Sequence, residues 1–575
     1  MFDTLPTTAA AFSAWSWSEI APYYEELEKR PLTTANIDQW LSDWSQLVKL
    51  MAESFSRLSV ANTIDTADEA IEQQYRDYLN NVFLAAQPSE QKLKQKLLDS
   101  GLVPDNMDVP LRKMAVEAEL FREENLPLVA QERELTLVYN KTVGAQTIEW
   151  AGEERTLTQL TPFFHTPDRA VREQIWRLRS QRQLADRETL YGVWTQLLAN
   201  RLQQAANAGF VAENGHIDYR AYRWQFLKRF DYTPADCETF HEAIEEVVVP
   251  AATNIYHKLA TELGVDQLRP WDLDADTYPL QFPPLKPFDD VAELEERTAA
   301  IFHRVDPVLG DYFDTMRQEN LLHLPNSKGK APGAYCTAFP HEKRPFIFMN
   351  AVGTAGDIKT LLHEAGHAFH VFEASRLPYV QQLRTGSEFA EVASMAMELL
   401  ASPYLKAEDG GFYEETAAYA RHRLGHLQKI VTFWPYMAVV DAFQHWVYTH
   451  PEAARDTANC DAAWSDLWDR FIPALNWDGL QAAKETGWQR KQHIFRYPFY
   501  YIEYGLAQLG AVQVWHNALR DQAAAVAQYR ESLALGGTRP LPHLYAAAGA
   551  RFAFDVPVVT EAVTLLEDTM SSLST

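Results

Sequence analysis

The segment Leu361-Leu362-His363-Glu364-Ala365-Gly366-His367-Ala368-Phe369-His370 constrains this chain more than any other. Residues four apart on an α-helix share a face. The imidazoles of His363 and His367 can therefore converge on one cation while Glu364 stands beside it, close enough to hold a water molecule. The flanks supply the helix this requires. Asp357 reads as its N-cap, and Ile358, Leu361, Leu362, Ala365, Phe369 and Phe372 give it an apolar side to bury. With 17 histidines in 575 residues and half of the 78 acids taken as Glu, a chance His-Glu-x-x-His is expected only about 0.03 times.

A catalytic zinc site takes three protein donors. The long pattern that would place Gly at 370 and His at 373 is absent, since those positions hold His370 and Glu373. A carboxylate from a later helix is the other common solution. Glu388, Glu391 and Glu398 follow at helical spacing on one face, and spacing leaves all three open. His370 shares the ligand face and is read as a hydrogen-bonded packing residue. His422 and His426 repeat the four-residue spacing, but Arg423 stands where the first pair has Glu364. A cation there opposes metal binding, so this pair reads as structural or surface.

Composition narrows the partners. Lys+Arg 52 against Asp+Glu 78 leaves a net charge of −26, a field that repels nucleic-acid phosphates and anionic lipid. The chain has 47% hydrophobic and 23% charged residues, as in soluble globular proteins. Cys237, Cys336 and Cys460 contain no CxxC pair, so neither a disulfide framework nor a thiolate zinc site is read from them. Cys336 reads as a small buried apolar residue. The first twenty residues have no basic n-region or long apolar h-region, and no run of about 18 apolar residues occurs. A cytoplasmic protein with no membrane contact is expected.

Residues 1–200 read as an N-terminal helical region rich in charged amphipathic segments, with a short hairpin near 142–160 around Ala151-Gly152-Glu153. Residues 201–575 read as the catalytic region. It has a Pro- and Asp-rich loop break near 271–288 between two lobes. Within it, 334–337 and 345–350 read as two strands at the edge of a small sheet, and helices dominate the rest.

His363-Glu364-Ala365-Gly366-His367, followed by Glu388-Phe389-Ala390-Glu391, resembles the M3 family of zinc oligopeptidases. The segments 441–448 and 493–505 resemble its oligoendopeptidase F branch, a relative of thimet oligopeptidase. Ala365 departs from the family's usual Phe at a non-ligating position. The resemblance implies that Glu391 is the third ligand of one Zn2+ per chain, and Glu398 an acid that orients a ligating histidine. It implies that His493, Tyr501 and Tyr504 donate to the oxyanion of the transition state, with Tyr497 as a substrate contact, although the family spacing from the His to the first Tyr is one residue longer. Tyr500 is left as core. The implied fold is mainly α, with two helical lobes around a deep substrate channel and a small β-sheet near the zinc site. The strand Pro345–Asn350 would hold the peptide backbone by β-augmentation.

The implied activity is zinc-dependent hydrolysis of internal peptide bonds in short unstructured oligopeptides, with Glu364 as base. Two alternatives stay open. One is a zinc carboxypeptidase of related helical fold, which would release single terminal residues. The other is a non-catalytic scaffold retaining the motif, which would show no zinc or no turnover.

Overall fold

The computed structural model describes residues 1–274, 278–280 and 284–574. The chain is mainly helical, and among the described residues the strands form two two-stranded pairs and one three-stranded sheet. It divides into two compact units, each drawn from three separated stretches. Met1–Glu119, Leu285–Tyr419 and Gly510–Phe552 form the first; Leu120–Pro284, Ala420–Leu509 and Ala553–Thr575 form the second. The expected division at residue 200 falls inside the helix Arg187–Asn207, because contacts between segments distant in sequence define the units. The passage from the second unit to the first at Pro284 lies within the expected loop near 271–288. There Leu273–Asp274 pairs with Tyr278–Pro279, while 275–277 and 281–283 lie outside the described residues. No helix among the described residues is long and apolar enough to cross a membrane.

In the second unit, Thr147–Trp150 and Glu153–Thr156 form the hairpin. Its two-residue turn, Ala151-Gly152, takes φ of 56° and 81°, the backbone that matches the twist of paired strands. Tryptophans dominate the core: Trp194, Trp434, Trp464, Trp468 and Trp488 are all buried. Asp272 is buried with them and takes Arg169 at 2.8 Å and Arg172 at 3.2 Å.

In the first unit, the amphipathic helix Ile37–Ile64 turns Trp40, Trp44, Leu47 and Leu50 into a core with Tyr24, Leu27 and Leu97. The three-stranded sheet has Arg344–Ala351 at its centre, parallel to Leu322–Pro325 on one side and antiparallel to Tyr335–Phe339 on the other. The run Phe346-Ile347-Phe348-Met349 is buried throughout, as a strand covered on both faces must be. This placement corrects the expectation that Pro345–Asn350 receives a peptide. With neighbours along both edges, that strand's backbone groups are already taken. Tyr335–Phe339 is one of the two edge strands, Leu322–Pro325 being the other, and it packs on the histidine helix.

The histidine helix, Ala355–Ala374, begins at Thr354 rather than Asp357. Thr354 Oγ1 accepts from Asp357 N at 3.3 Å and Asp357 Oδ2 accepts from Thr354 N at 2.8 Å, a reciprocal capping box. Its neighbour is the glutamate helix, Ser387–Ala401, whose Phe389, Val392, Ala393, Ala396 and Met397 are fully buried. The two backbones touch at Gly366, where a Cβ would lie 2.5 Å from the Ala393 carbonyl oxygen and 2.6 Å from Ser394 Cα. Only glycine permits that approach. Gly366→Ala is expected to destabilise the chain by about 1–3 kcal/mol through overpacking. The measurement is the denaturant midpoint, and an unchanged midpoint refutes the contact.

Candidate metal centre and active site

His363 and His367 extend from one face of the histidine helix, their ring centroids 5.0 Å apart and their planes at 86°. Across the contact at Gly366, Glu391 Oε2 lies 3.4 Å from His363 Nε2 and 3.9 Å from His367 Nε2. One donor atom from each of the three lies within 4.8 Å of the others. Among the three acids of the glutamate helix, Glu391 is the one that meets both imidazoles. Glu398 accepts from His363 Nδ1 at 2.7 Å, and Lys359 Nζ approaches its other oxygen at 3.4 Å. Glu388 is buried outside this group.

The hydrogen bonds aim the donors. With Nδ1–H given to Glu398, His363 turns Nε2 toward Glu391. His367 donates to the Ala390 carbonyl, and the Ser394 hydroxyl donates to Glu391 Oε2 at 3.1 Å. The histidine side chains keep 23% exposure against 4% for Glu398, so the group opens on the imidazole side and is closed behind.

The two histidines titrate in opposite directions. Burial opposes charge on His363, but its hydrogen bonds to Glu391 and Glu398 outweigh that and push it up to about 10. Burial pushes His367 down to about 4 despite the nearby Glu391 charge. Burial also raises Glu364 to about 7; the Glu391 charge adds to this, while His363 and a hydrogen bond from the Cys336 N–H oppose it. A carboxylate near 7 is matched to proton transfer at neutral pH.

The Cys336 N–H that reaches Glu364 points away from the central strand. In an antiparallel ladder such outward residues alternate, so the backbone N–H and C=O of Ala338 point outward too. The Cys336 thiol donates to the Thr337 carbonyl at 3.8 Å and is held well above its usual range by burial and by Glu364. His370 is buried edge-on against Phe389 and pushed down to about 4 by burial. It packs as expected, but its Nε2 lacks the expected hydrogen bond among the described residues. Among those residues, His422 and His426 join no metal-capable group.

His493, Tyr497, Tyr501 and Tyr504 belong to the second unit. There the His493 ring lies 4.9 Å from Tyr501, 6.1 Å from Tyr504 and 6.3 Å from Tyr497, centroid to centroid. Tyr500, expected in the core, is half-buried and stacks on His493 instead. Tyr497 is exposed. Burial, with Lys491 and Arg496 adding their charges, pushes His493 down to about 4 and keeps it neutral. Lys491 Nζ donates to the Tyr501 hydroxyl at 2.6 Å. The segment is pinned from behind. Arg201 donates to the Ile494 carbonyl at 3.1 Å, Arg229 to the Phe499 carbonyl at 2.6 Å, and Gln444 accepts from Phe499 N at 2.8 Å.

Gly366, Ser394 and Lys491 are not singled out by the sequence reading. A glycine inside a helical motif and a serine three residues after Glu391 are legible signals; Lys491 offers none.

A profile described as Peptidase family M3 matches residues 163–563. The chain is 25% identical over 242 residues to Oligopeptidase PepF of Bacillus subtilis (strain 168), covering 40% of this chain and 34% of that protein. It is 25% identical over 270 residues to Mitochondrial intermediate peptidase of Mus musculus, covering 42% and 36%. The chain thus spans about a third of the length of these relatives. Among solved structures, Pz peptidase A with inhibitor 2 aligns with a TM-score of 0.83 at 27% identity, over 100% of this chain and 99% of that one. Oligoendopeptidase-F from Enterococcus faecium, at 15% identity and a TM-score of 0.59 over 97% of each chain, shares the fold.

Two outcomes follow from the geometry. At pH 7, His363 holds a proton that an ion at Nε2 must displace. Zinc titrated into chelator-treated protein is therefore expected to release about one proton per ion or slightly more. Calorimetry in buffers of different ionisation enthalpy measures this, and zero release refutes the assignment. Glu398→Gln should weaken metal affinity by about 10- to 100-fold, and an unchanged affinity would deny Glu398 its orienting role.

Proposed function

Because the chain belongs to peptidase family M3, we propose that it is a zinc-dependent endopeptidase that hydrolyses internal bonds of short, unstructured oligopeptides. The observation that carries this reading is the meeting of Glu391 with both Nε2 atoms beside Glu364. Two imidazole nitrogens and one carboxylate oxygen, with an acid on the far nitrogen of one ring, are a donor set that fits zinc. His363, His367 and Glu391 would hold the ion. Bound there, it would supply Lewis acidity to a water molecule and to the scissile carbonyl.

The chain's own residues do the rest. Glu364, raised to about 7, takes the proton of the attacking water and returns it to the leaving amine. His493, Tyr501 and Tyr504 donate to the oxygen on which negative charge grows, and Tyr497 contacts substrate. Neutral His493 offers an N–H, and Lys491 fixes the Tyr501 hydroxyl in place by donating to it. An extended peptide would pair with the edge strand Tyr335–Phe339 through the outward C=O of Cys336 and the outward N–H and C=O of Ala338, the Cys336 N–H being held by Glu364. Alternate backbone pairing of that kind needs an unfolded segment, which suits oligopeptides as substrates. We place the protein in the cytoplasm, where its three free cysteines stay reduced.

The test is mass spectrometry of a random oligopeptide mixture after incubation with the wild type and Glu364→Gln, each with measured zinc content. Internal cleavage is expected from the wild type, and cleavage about 10²- to 10⁴-fold slower from the variant with zinc retained. Tyr504→Phe should slow cleavage by about 10²- to 10³-fold at unchanged zinc. Equal cleavage by Glu364→Gln would remove the base, and release of terminal residues alone would remove the endopeptidase.

A further inference from the structure

The described residues hold one other metal-capable group, and it lies in the second unit. Donor atoms of Cys237, Asp441 and His445 all lie within 4.8 Å of one another. Cys237 and His241 stand four apart on the helix Pro234–Ala243, and Asp441 and His445 four apart on the helix Thr416–Thr449. Each helix therefore turns two donors to one side. All four side chains are buried.

The polar bookkeeping does not close. His241 Nε2 meets Asp441 Oδ2 at 3.0 Å. His445 Nε2 lies 3.2 Å from the same oxygen in poor alignment for a hydrogen bond, and Asp441 Oδ1 has no hydrogen-bond partner among the described residues. The Cys336 and Cys460 thiols donate to carbonyls, whereas no hydrogen bond among the described residues reaches Cys237 Sγ. Buried polar atoms without partners are rare, and here they converge.

We propose that Cys237, Asp441 and His445 bind a second divalent cation of borderline softness, zinc foremost, and that His241, which meets Asp441 but lies outside that three-residue group, turns in as the fourth donor of a closed structural site. Thiolate, imidazole and carboxylate are the donors such an ion takes. In a tetrahedral site with bonds near 2.0–2.1 Å, neighbouring N and O donors sit roughly 3.3 Å apart. The two Nε2–Oδ2 separations of 3.0 and 3.2 Å already match that edge. One contact has to yield. Arg220 approaches His445 Nδ1 at 3.3 Å, and on binding it must release that nitrogen, keeping Glu238 at 2.8 Å. The ion would clamp two helices whose His445 packs 5.0 Å from Phe499, in the segment that carries His493 and Tyr501.

The test uses the full-length chain produced in zinc-depleted medium supplemented with cobalt(II) chloride. The His363, His367 and Glu391 group contains no sulfur, so a near-ultraviolet sulfur-to-cobalt charge-transfer band reports on the second site alone. The wild type should show that band and two cobalt ions per chain by elemental analysis. Cys237→Ser should lose the band and one ion, Cys336→Ser should keep both, and His363→Ala should lose one ion yet keep the band. The last variant separates failure of this proposal from failure of the catalytic one. A wild type without the band, or a band that survives Cys237→Ser, overturns the proposal, whereas a wild type with the band and a single ion upholds it and counts against the catalytic site instead.

Discussion

The contact on which the candidate site depends is between two backbones. At Gly366 the histidine helix lies so close to the glutamate helix that a single Cβ would overlap the Ala393 carbonyl. That approach lets one short carboxylate, Glu391, reach two imidazoles on the facing helix. A wider spacing would leave the same residues on the same faces with nothing to share.

Close packing also sets the electrostatics. Glu391 and Glu398 are buried, and a buried carboxylate must be paired or hydrogen-bonded to stay charged. His363 meets both, Lys359 approaches Glu398, and Ser394 donates to Glu391. The same arrangement drives two histidines of one helix apart, one up to about 10 and the other down to about 4. Residue type alone would give them one value; their carboxylate neighbours separate them.

The second unit shows the same economy in a different form. Phe499 is buried at φ +62°, a conformation that costs a non-glycine residue free energy and persists only where its surroundings over-determine it. Arg229, Gln444 and the His445 ring supply that determination. The aromatic segment from His493 to Tyr504 is thereby held on a scaffold of buried cations and amides rather than on a free loop.

Local chemistry was legible in the residues. The helix at Ala355–Ala374 followed from its own periodicity, and the strand at Arg344–Ala351 from its unbroken apolar run. The cap was misread by three positions, as Asp357 instead of Thr354, because both belong to one reciprocal motif. Periodicity said nothing about whether a strand is central or at an edge, which is why Pro345–Asn350 was read as open to a peptide although it lies at the centre of its sheet. By itself the sequence determined the two histidines and Glu364 on a helical face, since that pattern needs only neighbours within two turns. Which of three helical acids meets both rings, and that Cys237 lies with Asp441 and His445 from another helix, only the tertiary structure decided. Those distances depend on how closely separate helices pack, and no periodicity along one chain encodes that.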